Sequence, residues 1–272
     1  MTENLKHGQK IRVEIKEYFP AQFTALRLVL GVKYSQFLSS ISAGEDFETS
    51  GGKTNSSFFK TKDGLFIGKV IGKTEADMFI NSANSYFQYM FNMVNNKSDS
   101  VLTKILGLYY MDTNQKGKEY VVIMENLFCG IQNYNKLYDL KGSHVNRLVK
   151  INTIGQTLLD TNYLIDRNGD PLVITTGYYN SENFDFFKAI ENDCDFLFKE
   201  SIIDYSLMCI IDSTHKLVKV GIIDFFRKYD IYKKVENVGK KVYYGMNPTI
   251  VEPKKYCKRF KKAMRKYFIV NI

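Results

Sequence analysis

Two apolar runs separated by a short polar turn constrain the fold of this chain more than any other feature. Residues 201–211 carry Asp204 near their start, residues 217–226 carry Asp224 near their end, and residues 212–216 are polar. The pattern predicts a hairpin. Antiparallel pairing would bring both carboxylates to the same end of it. Carboxylates held close together suit Mg²⁺, which prefers oxygen ligands and usually brings phosphates, although two strand-capping aspartates are the simpler alternative.

The composition indicates a folded chain without a zinc site. The 272 residues are 44% hydrophobic, which is enough for one large domain or two lobes with a core. The four cysteines lie far apart in the sequence, and no histidine has ligand spacing to a cysteine. We therefore expect free thiols in a reducing compartment.

The positive charge of the chain is concentrated at its C-terminal end. Eight bases and no acid lie in residues 254–272, while residues 1–253 hold 30 bases against 29 acids. Such a segment indicates an anionic partner, either nucleic acid or the cytoplasmic leaflet of a membrane. Neither an RRM nor a helix-turn-helix pattern is present, so no nucleic-acid partner is expected.

The same basic segment has the pattern of an amphipathic helix. Within residues 254–268, the side chains of Tyr256, Phe260, Met264 and Tyr267 fall on one helical face, and bases fill the rest. The helix could pack on the core with its basic face in solvent, and that face could also meet anionic lipid. Because no apolar run is long enough to span a bilayer and residues 1–8 lack the core of a signal peptide, we expect a cytosolic or peripherally attached protein.

The order of the predicted elements indicates an α+β chain in two lobes, residues 1–127 and 128–272. Antiparallel sheets with flanking helices are expected. The predicted elements are a helix over 8–31 that breaks or restarts at Pro20, strands within 47–71, a helix over 74–94, strands over 105–111 and 119–124, strand-like stretches near 136–141, 157–165 and 171–175, a helix over 181–200, the hairpin, and the C-terminal helix.

Two features of the first lobe are typical of phosphate binding. The loop Gly51, Gly52, Lys53 lies between two predicted strands, where its backbone amides could cradle a phosphate, although an ordinary hairpin turn is the alternative. Lys69 lies among apolar neighbours in the next strand, and Glu75 opens the following helix. A Lys–Glu pair of this kind holds the α and β phosphates of ATP in protein-kinase-like small lobes; an outward-facing lysine is the alternative.

A third feature is the apolar strand that runs into Glu125, Asn126 and Leu127. An apolar strand followed by a short polar break is typical of a hinge between lobes, whose backbone can bond an adenine edge. A buried strand followed by a loop is the alternative. Together with the lysine and the two aspartates, the order of these features favours phosphoryl transfer, although His-Arg-Asp and Asp-Phe-Gly are both absent.

Longer motifs resemble the phosphatidylinositol phosphate kinase family. They are Tyr138-Asp-Leu-Lys-Gly-Ser143 with Arg147, Ile203-Asp-Tyr-Ser-Leu207 and Gly221-Ile-Ile-Asp224. The stretches Met124-Glu-Asn-Leu-Phe128 and Asn247-Pro-Thr-Ile-Val-Glu-Pro-Lys-Lys-Tyr256 are most similar to the type III, PIKfyve-like branch of 1-phosphatidylinositol-3-phosphate 5-kinases. The resemblance implies the two-lobed fold of that family, which is distantly protein-kinase-like.

The resemblance also implies roles for individual residues. Lys69 would bind ATP phosphates, Asp204 would orient or deprotonate the inositol hydroxyl, and Asp224 would hold Mg²⁺. Asp139 and Lys141 would line the site near the transferred phosphate. The remaining implied roles are support of the site and lipid binding by Arg147, ATP binding by Gly51, Gly52, Lys53, Glu75, Glu125, Asn126 and Leu127, and lipid selection by an activation loop over 225–247 that contains Lys233, Lys234 and Glu236.

The function implied by the resemblance is that of an ATP- and Mg²⁺-dependent lipid kinase on endosomal or vacuolar membranes. It would phosphorylate phosphatidylinositol 3-phosphate at the 5-position, with phosphatidylinositol 4-phosphate as an alternative substrate. A catalytically weak phosphoinositide-binding module is the other alternative. Thr54-Asn55-Ser56, in place of further glycine, argues for this last alternative, and Gly68 in place of a larger apolar residue is a second departure from the family pattern. The oligomeric state is left open.

Overall fold

The computed structural model describes residues 12–47, 57–131, 133–151, 153, 155–175, 184–215, 217–229 and 251–271. The chain divides into two compact units. The first contains residues 1–90 and 104–129, and the second contains residues 91–103 and 130–272. Both units combine helices with sheets, so the predicted α+β class is confirmed.

Six antiparallel strands form the sheet of the first unit, in the order β1-β5-β6-β4-β3-β2. The strands are β1 Val13–Tyr18, β2 Gly44–Phe47, β3 Phe58–Thr61, β4 Phe66–Ile71, β5 Ile105–Thr113 and β6 Gly117–Glu125. The helices that begin in this unit are α1 Pro20–Val29, α2 Tyr34–Ile41 and α3 Lys73–Asn95.

Helix α3 supplies much of the apolar core of the first unit. Its side chains at Phe79, Ala83, Phe87 and Met90 are buried, as their helical spacing predicts. Tyr86 is also buried on this helix, and its hydroxyl donates to the carbonyl of Ile105 and accepts from the amide of the same residue. Helix and sheet are therefore joined by both apolar packing and a satisfied buried hydroxyl.

The predicted helix over residues 8–31 is wrong in its described N-terminal part. Val13–Tyr18 form the edge strand β1, paired antiparallel with β5, and helix α1 begins only at Pro20. Val13 and Ile15 alternate with charged residues, so this stretch fits the period of a strand as well as that of a helix. Pairing with β5 satisfies the hydrogen-bonding groups of its backbone, as a helix would. Pro20 suits the first turn of a helix because its missing N–H has no partner there.

Among its described residues, the second unit contains three small sheets and three helices. Its four-stranded sheet has the order β12-β11-β7-β8, and β10-β13 and β14-β9 form two-stranded sheets. The strands are β7 Lys136–Leu140, β8 Thr157–Leu158, β9 Leu172–Thr175, β10 Ile202–Ile203, β11 Ser206–Asp212, β12 Leu217–Ile223, β13 Arg227–Lys228 and β14 Phe268–Asn271. The helices of this unit are α4 Asp160–Asp166, α5 Phe186–Lys199 and, from Pro253 to Tyr267, α6.

The predicted strand over residues 157–165 is also largely wrong. Only Thr157–Leu158 pair as a strand, and helix α4 begins two residues later at Asp160. The Asn162 side-chain oxygen accepts from the Leu159 amide, which helps to start this helix. The apolar run over residues 157–165 is too short to show a clear period, so the sequence could not distinguish a buried helix from a strand there.

The basic C-terminal helix packs on the second unit through the predicted face. Tyr256, Phe260, Met264 and Tyr267 are all buried. The Tyr256 hydroxyl donates to the carbonyl of Tyr205, and both rings contact each other edge to face. The helix is therefore part of the core and is not an appended tail.

Within the described ranges, no helix combines the length and the apolar character that a membrane crossing requires.

Candidate active site

The hairpin that opened the sequence analysis forms as predicted. Strands β11 and β12 pair antiparallel from Ser206 opposite Ile223 to Asp212 opposite Leu217. Asp204 lies two residues before β11, and Asp224 follows β12 directly. The register therefore places the two aspartates at the same end of the hairpin.

Both aspartates adopt the same unusual backbone conformation. The φ angle is 64° at Asp204 and 58° at Asp224, which is the left-handed region. Few residues other than glycine occupy this region, and aspartate and asparagine are among those that tolerate it best. Residues in this conformation persist where the surrounding structure holds the chain in it at a cost, and they occur often at functional sites.

Two cations bind the carboxylate of Asp204. The Lys141 ammonium lies 2.5 Å from Oδ1 and also donates to the Asp204 carbonyl at 2.8 Å, while Arg227 Nη1 lies 2.6 Å from Oδ2. Lys141 follows strand β7 and Arg227 begins β13, so three separate segments fix this carboxylate. Arg227 was missed from the sequence, although it lies only three residues after Asp224.

A second group of charges surrounds Arg147. Its Nη2 lies 2.6 Å from Asp139 Oδ1, and its Nε lies 2.8 Å from Asp160 Oδ2. Burial of the guanidinium opposes its charge, but the two carboxylates outweigh burial and raise the pKa of Arg147 above its ordinary value. Ser206, on the neighbouring strand β11, donates to the other oxygen of Asp139 at 3.0 Å. Asp139 is therefore held on both sides.

Asp160, which was not predicted from the sequence, links the two groups of charges. This fully buried carboxylate accepts from the amides of Lys141, at 3.1 Å, and Gly142, at 2.7 Å. It also accepts from Arg147 and from the Tyr267 hydroxyl. Its position inside an apolar stretch was the available signal, because an acid there must find buried donors.

Gly142 allows this arrangement by its lack of a side chain. Its φ is +68°, and an added Cβ would lie 2.7 Å from the Cβ of Ala263 on helix α6. The segment that carries Lys141 therefore packs directly on α6. Backbone bonds to Asp160 and side-chain bonds to Asp204 together fix Lys141 at both ends.

In the first unit, Lys69 lies on strand β4 as predicted. It is only 7% exposed, and its ammonium lies 5.7 Å from the centre of the Phe58 ring. Glu75 opens helix α3, where its carboxylate accepts from the Gly72 amide at 3.3 Å. Among the described contacts of Glu75 there is none to Lys69, so the structure does not bring these two residues together.

The departure at Gly68 has a clear structural cause. Gly68 pairs with Phe59 across strands β3 and β4, and the Phe59 ring lies over it. A Cβ added at Gly68 would lie 2.1 Å from that ring. The aromatic side chain thus fills the space that a larger residue at position 68 would occupy.

The predicted hinge is tied to the rest of the first unit by side-chain bonds. The amide nitrogen of the Asn126 side chain donates to the Gly64 carbonyl at 2.7 Å, and its oxygen accepts from the Phe128 amide at 3.0 Å. The Glu125 carboxylate accepts from the Lys104 amide at 2.8 Å. Leu127 is buried. These bonds set the shape of the segment, and the backbone amides of Glu125 and Asn126 also donate within the unit, to the carbonyls of Lys104 and Leu65.

The remaining predicted residues cannot be compared with the structure. They lie outside the described residues and are Gly51, Gly52, Lys53, Lys233, Lys234 and Glu236. Of the predicted activation loop over 225–247, only residues 225–229 are described.

The donor set at the hairpin end fits Mg²⁺ in one respect. Asp224 offers an exposed carboxylate, and Mg²⁺ in phosphoryl-transfer sites is bound by one or two carboxylates together with substrate phosphates. Asp204 does not suit a second direct ligand here, because its two oxygens already bind Lys141 and Arg227. No group of three or more potential metal ligands occurs within the described part of the chain, so a metal at Asp224 would depend on the phosphates.

Comparison with known proteins gives consistent matches over nearly the whole chain. The sequence model of the family described as Phosphatidylinositol-4-phosphate 5-Kinase matches residues 45–219 and 209–267. The 1-phosphatidylinositol-3-phosphate 5-kinase FAB1B of Arabidopsis thaliana is 35% identical over 96% of this chain and 15% of its own length. The 1-phosphatidylinositol 3-phosphate 5-kinase of Mus musculus is 35% identical over 93% of this chain and 12% of its own length.

A relative from yeast gives the same result. The 1-phosphatidylinositol 3-phosphate 5-kinase FAB1 of Saccharomyces cerevisiae is 33% identical over 94% of this chain and 12% of its own length. The chain thus spans less than a sixth of the length of each of these three relatives.

Proposed function

Because the chain belongs to the phosphatidylinositol-4-phosphate 5-kinase family, as its motifs predicted, we propose that it is the catalytic part of an ATP-dependent lipid kinase. Its substrate is phosphatidylinositol 3-phosphate, which it phosphorylates on the 5-hydroxyl to give phosphatidylinositol 3,5-bisphosphate. Relatives that carry this activity in their names are 31–36% identical over 82–98% of the chain.

The observation that carries this proposal is the arrangement at the end of the hairpin. Two aspartates in left-handed backbone conformations share that end, and Lys141 and Arg227 bind one of them. Phosphoryl transfer needs little covalent chemistry from a protein, but it needs reactants held in line and negative charge neutralised. A fixed carboxylate beside fixed cations can do both.

The roles of the residues follow from this chemistry. Asp204 orients the inositol hydroxyl, and its two cations hold its carboxylate in one position. Lys141 would also offset the charge of the transferred phosphate, and Asp139 and Arg147 would hold the neighbouring backbone. Asp224 is the residue that would hold Mg²⁺, which when bound neutralises charge on the phosphates of ATP.

The nucleotide roles belong to the first unit. Lys69 is a buried ammonium on a central strand, which is suited to binding the phosphates of ATP. The backbone of Glu125, Asn126 and Leu127 would receive the adenine. Gly51, Gly52 and Lys53 would cover the phosphates, and Glu75 would approach Lys69 once nucleotide is present.

Phosphatidylinositol 4-phosphate is the second candidate substrate, and one observation favours it. The matching family is described by its 4-phosphate activity, whereas the most similar relatives reported above are described by their 3-phosphate activity. We prefer the 3-phosphate because those relatives match residue for residue over more of the chain. Lys233, Lys234 and Glu236 in the activation loop would make the selection.

The partners and location follow from the substrate. The lipid is embedded in a membrane, so the protein would act as a peripheral protein on anionic, phosphoinositide-containing membranes. Endosomal or vacuolar membranes are the proposed location, because these carry phosphatidylinositol 3-phosphate. ATP is the phosphate donor.

A direct assay tests the proposal. The purified chain is incubated with radiolabelled ATP, Mg²⁺ and each of the three phosphatidylinositol monophosphates in turn, and the products are separated. We expect label in a bisphosphate from the 3-phosphate, loss of at least about a hundredfold in rate in Asp224→Asn, and no loss in the exposed control Asp170→Asn. Asparagine tolerates the left-handed backbone at position 224, so the variant should stay folded.

The other outcomes of this assay are equally informative. Phosphorylation of phosphatidylinositol 4-phosphate alone would show that this lipid, and not the 3-phosphate, is the substrate. Phosphorylation of none would favour a phosphoinositide-binding module. Full activity in a purified Asp224→Asn sample would contradict the metal assignment.

A further inference from the structure

Helix α6 divides its side chains among four rows that run along its length. Residues four apart in an α-helix lie on nearly the same side, and residues two apart lie about 200° around the axis. Positions 256, 260 and 264 form one row, 257, 261 and 265 a second, 255, 259 and 263 a third, and 254, 258, 262 and 266 the fourth. Each row meets different surroundings.

Three of the rows contact the second unit. The row of Tyr256, Phe260 and Met264 lies in the core. The next row faces helix α5, where Lys261 binds Asp195 and Arg265 binds Glu191, each at 2.5 Å. Partial burial opposes the charge of Lys261, but the neighbouring Asp195 carboxylate and the sulfur atoms of Cys257 and Cys194 outweigh burial and raise the pKa of this lysine.

The third row faces the segment beside the active site. Ala263 packs against Gly142, and the Arg259 guanidinium lies 4.7 Å from the centre of the Tyr256 ring. Lys255 at the start of this row lies 3.7 Å from Glu252. Every row except the fourth therefore has a partner within the fold.

The fourth row, which we call the lysine ladder, consists of Lys254, Lys258, Lys262 and Lys266. All four are exposed, and within the described part of the chain none of them forms an ion pair with an acid. They lie two residues from the core row, and hence on the opposite side of the helix. The ladder is about 18 Å long, at 1.5 Å per residue.

Packing does not explain the lysine ladder. Like charges four residues apart repel each other and destabilise a helix. The core row and the ion pairs to α5 already hold α6 in place without these lysines. Four unneutralised lysines on the outermost row of a packed helix therefore indicate an external anionic partner.

We propose that the lysine ladder docks the protein on the surface of an anionic lipid bilayer, an inference that rests on the proposed lipid-kinase function. The ladder contains lysine alone, without aromatic or apolar residues between the charges. A protein partner would be expected to bury an apolar or aromatic centre, and a nucleic acid to stack on aromatic residues. A diffuse anionic surface needs only positive charge within a Debye length.

The position of the helix supports this partner. The Tyr256 hydroxyl at the start of α6 binds the carbonyl of Tyr205, which is the residue after Asp204. Ala263 packs on Gly142, the residue after Lys141. The helix that carries the ladder thus contacts both segments that form the aspartate site, and docking through the ladder would hold those segments one helix diameter, about 10–12 Å, from the leaflet that contains the substrate.

Vesicle binding tests the proposal without any kinase activity. Wild-type protein, a variant with the four ladder lysines changed to glutamine, and a control are sedimented with phosphatidylcholine vesicles that contain about one third phosphatidylserine and no phosphoinositide. The control is Lys33→Gln, Lys62→Gln, Lys116→Gln and Lys118→Gln, which removes the same charge from exposed positions of the first unit.

Because each lysine near an anionic leaflet contributes roughly fivefold in affinity, the ladder variant should bind at least about tenfold more weakly than wild type. The control should stay within about twofold, and added salt should weaken wild type more than the ladder variant. Equal binding of the two quadruple variants, or wild-type binding to pure phosphatidylcholine as tight as to the mixture, would overturn the proposal.

A second measurement separates docking from catalysis. The ladder variant should keep wild-type turnover on a short-chain, water-soluble phosphatidylinositol 3-phosphate and lose turnover on the same headgroup in anionic vesicles. Loss on both substrates would place the lysines in the reaction itself and overturn docking. If no protein phosphorylates either substrate, the proposed function fails, and the sedimentation result still decides whether the ladder docks.

Discussion

Asp160 shows how much of the aspartate site depends on one buried residue. It accepts from two successive backbone amides, a guanidinium and a tyrosine hydroxyl, and all of these donors belong to segments that surround the site. The carboxylate thus holds Lys141 by its backbone while Asp204 holds it by its ammonium. Because Asp160 is fully buried, it acts on the site only by positioning other residues and does not itself face a ligand.

Asp160→Asn should therefore disturb both stability and the site. An amide has one acceptor oxygen and would direct its NH₂ group at donors, so Arg147 loses a buried partner. Breaking a buried pair in this way costs about 3–5 kcal/mol. We expect a lower urea midpoint for the variant, and a change within about 0.5 kcal/mol for the exposed control Asp170→Asn. Equal midpoints for both would contradict the role given to Asp160.

The close contact between Gly68 and the Phe59 ring gives a second prediction. A valine at position 68 would collide with the Phe59 ring, and overpacking of this kind costs about 1–3 kcal/mol. Gly68→Val should lower the melting temperature, and Phe59→Ala should lower it by leaving a gap. The double variant should lose less stability than the two single variants lose together, because valine then fills the space left by the Phe59 ring. Strict additivity in this cycle would exclude the contact.

Residue-level reasoning from the sequence found the groups that lie in long motifs. Asp139, Lys141, Arg147, Asp204 and Asp224 were identified in that way, and the structure brings the first four into bonded groups. Asp160, Ser206 and Arg227 were missed. Their importance comes from which segments meet in space, and spacing along the chain does not report that.

Among the elements, the turn between β3 and β4 and the predicted hinge form one bonded structure. Asp63 accepts from the Thr61 hydroxyl at 2.6 Å and the Leu65 amide at 3.1 Å, which shapes the turn. Asn126 then binds the turn through its backbone amide, to Leu65, and its side chain, to Gly64. The conformation of the hinge is therefore set by a turn 60 residues earlier in the chain.

Asn126→Ala should loosen the hinge without unfolding the first unit. The change removes the bonds to Gly64 and Phe128, and an unpaired buried backbone group costs about 1–3 kcal/mol. If the hinge backbone receives adenine, KM for ATP should rise while KM for lipid stays unchanged. Asn96→Ala, at an exposed position, is the control. An unchanged KM for ATP in a measurably destabilised variant would argue against the hinge assignment.

Elements with a long, strong period were predicted well from the sequence, and short ones were not. Helix α3 and the β11–β12 hairpin form where expected, because each repeats its pattern over many residues. Residues 13–18 fit two periods at once, and the strand forms because the neighbouring edge of β5 accepts it. Residues 160–166 form a helix because the buried interactions of Asp160 and Asn162 fix its start, which no local pattern indicates.

The basic C-terminal segment, residues 254–272, has two separable properties. Its charge accounts for nearly all of the net positive charge of the chain, since residues 1–253 carry 30 bases against 29 acids. Its apolar row forms part of the core of the second unit. The charge pattern alone suggests a basic tail, whereas in the structure these residues form a helix that packs in the core.

Deletion of residues 253–271 should therefore unfold the second unit. Five large side chains of this segment are buried together with Cys257, namely those of Tyr256, Phe260, Met264, Tyr267 and Phe268. At about 2 kcal/mol for each large side chain, their loss removes on the order of 10 kcal/mol, which is comparable with the whole stability of a typical domain. The truncated protein should lose its near-UV circular dichroism in that unit and bind a hydrophobic dye.

The lysine-ladder variant is the matched comparison for this deletion, because it removes four charges of the same helix and none of its packing. It should keep a melting temperature within about 2 °C of wild type, or exceed it slightly as like-charge repulsion is relieved. A truncated protein that still unfolds cooperatively at the wild-type temperature would show that the segment serves only as a charged tail. Unfolding of the ladder variant would instead show that its exposed lysines stabilise the fold, and the separation of charge from packing along α6 would then be wrong.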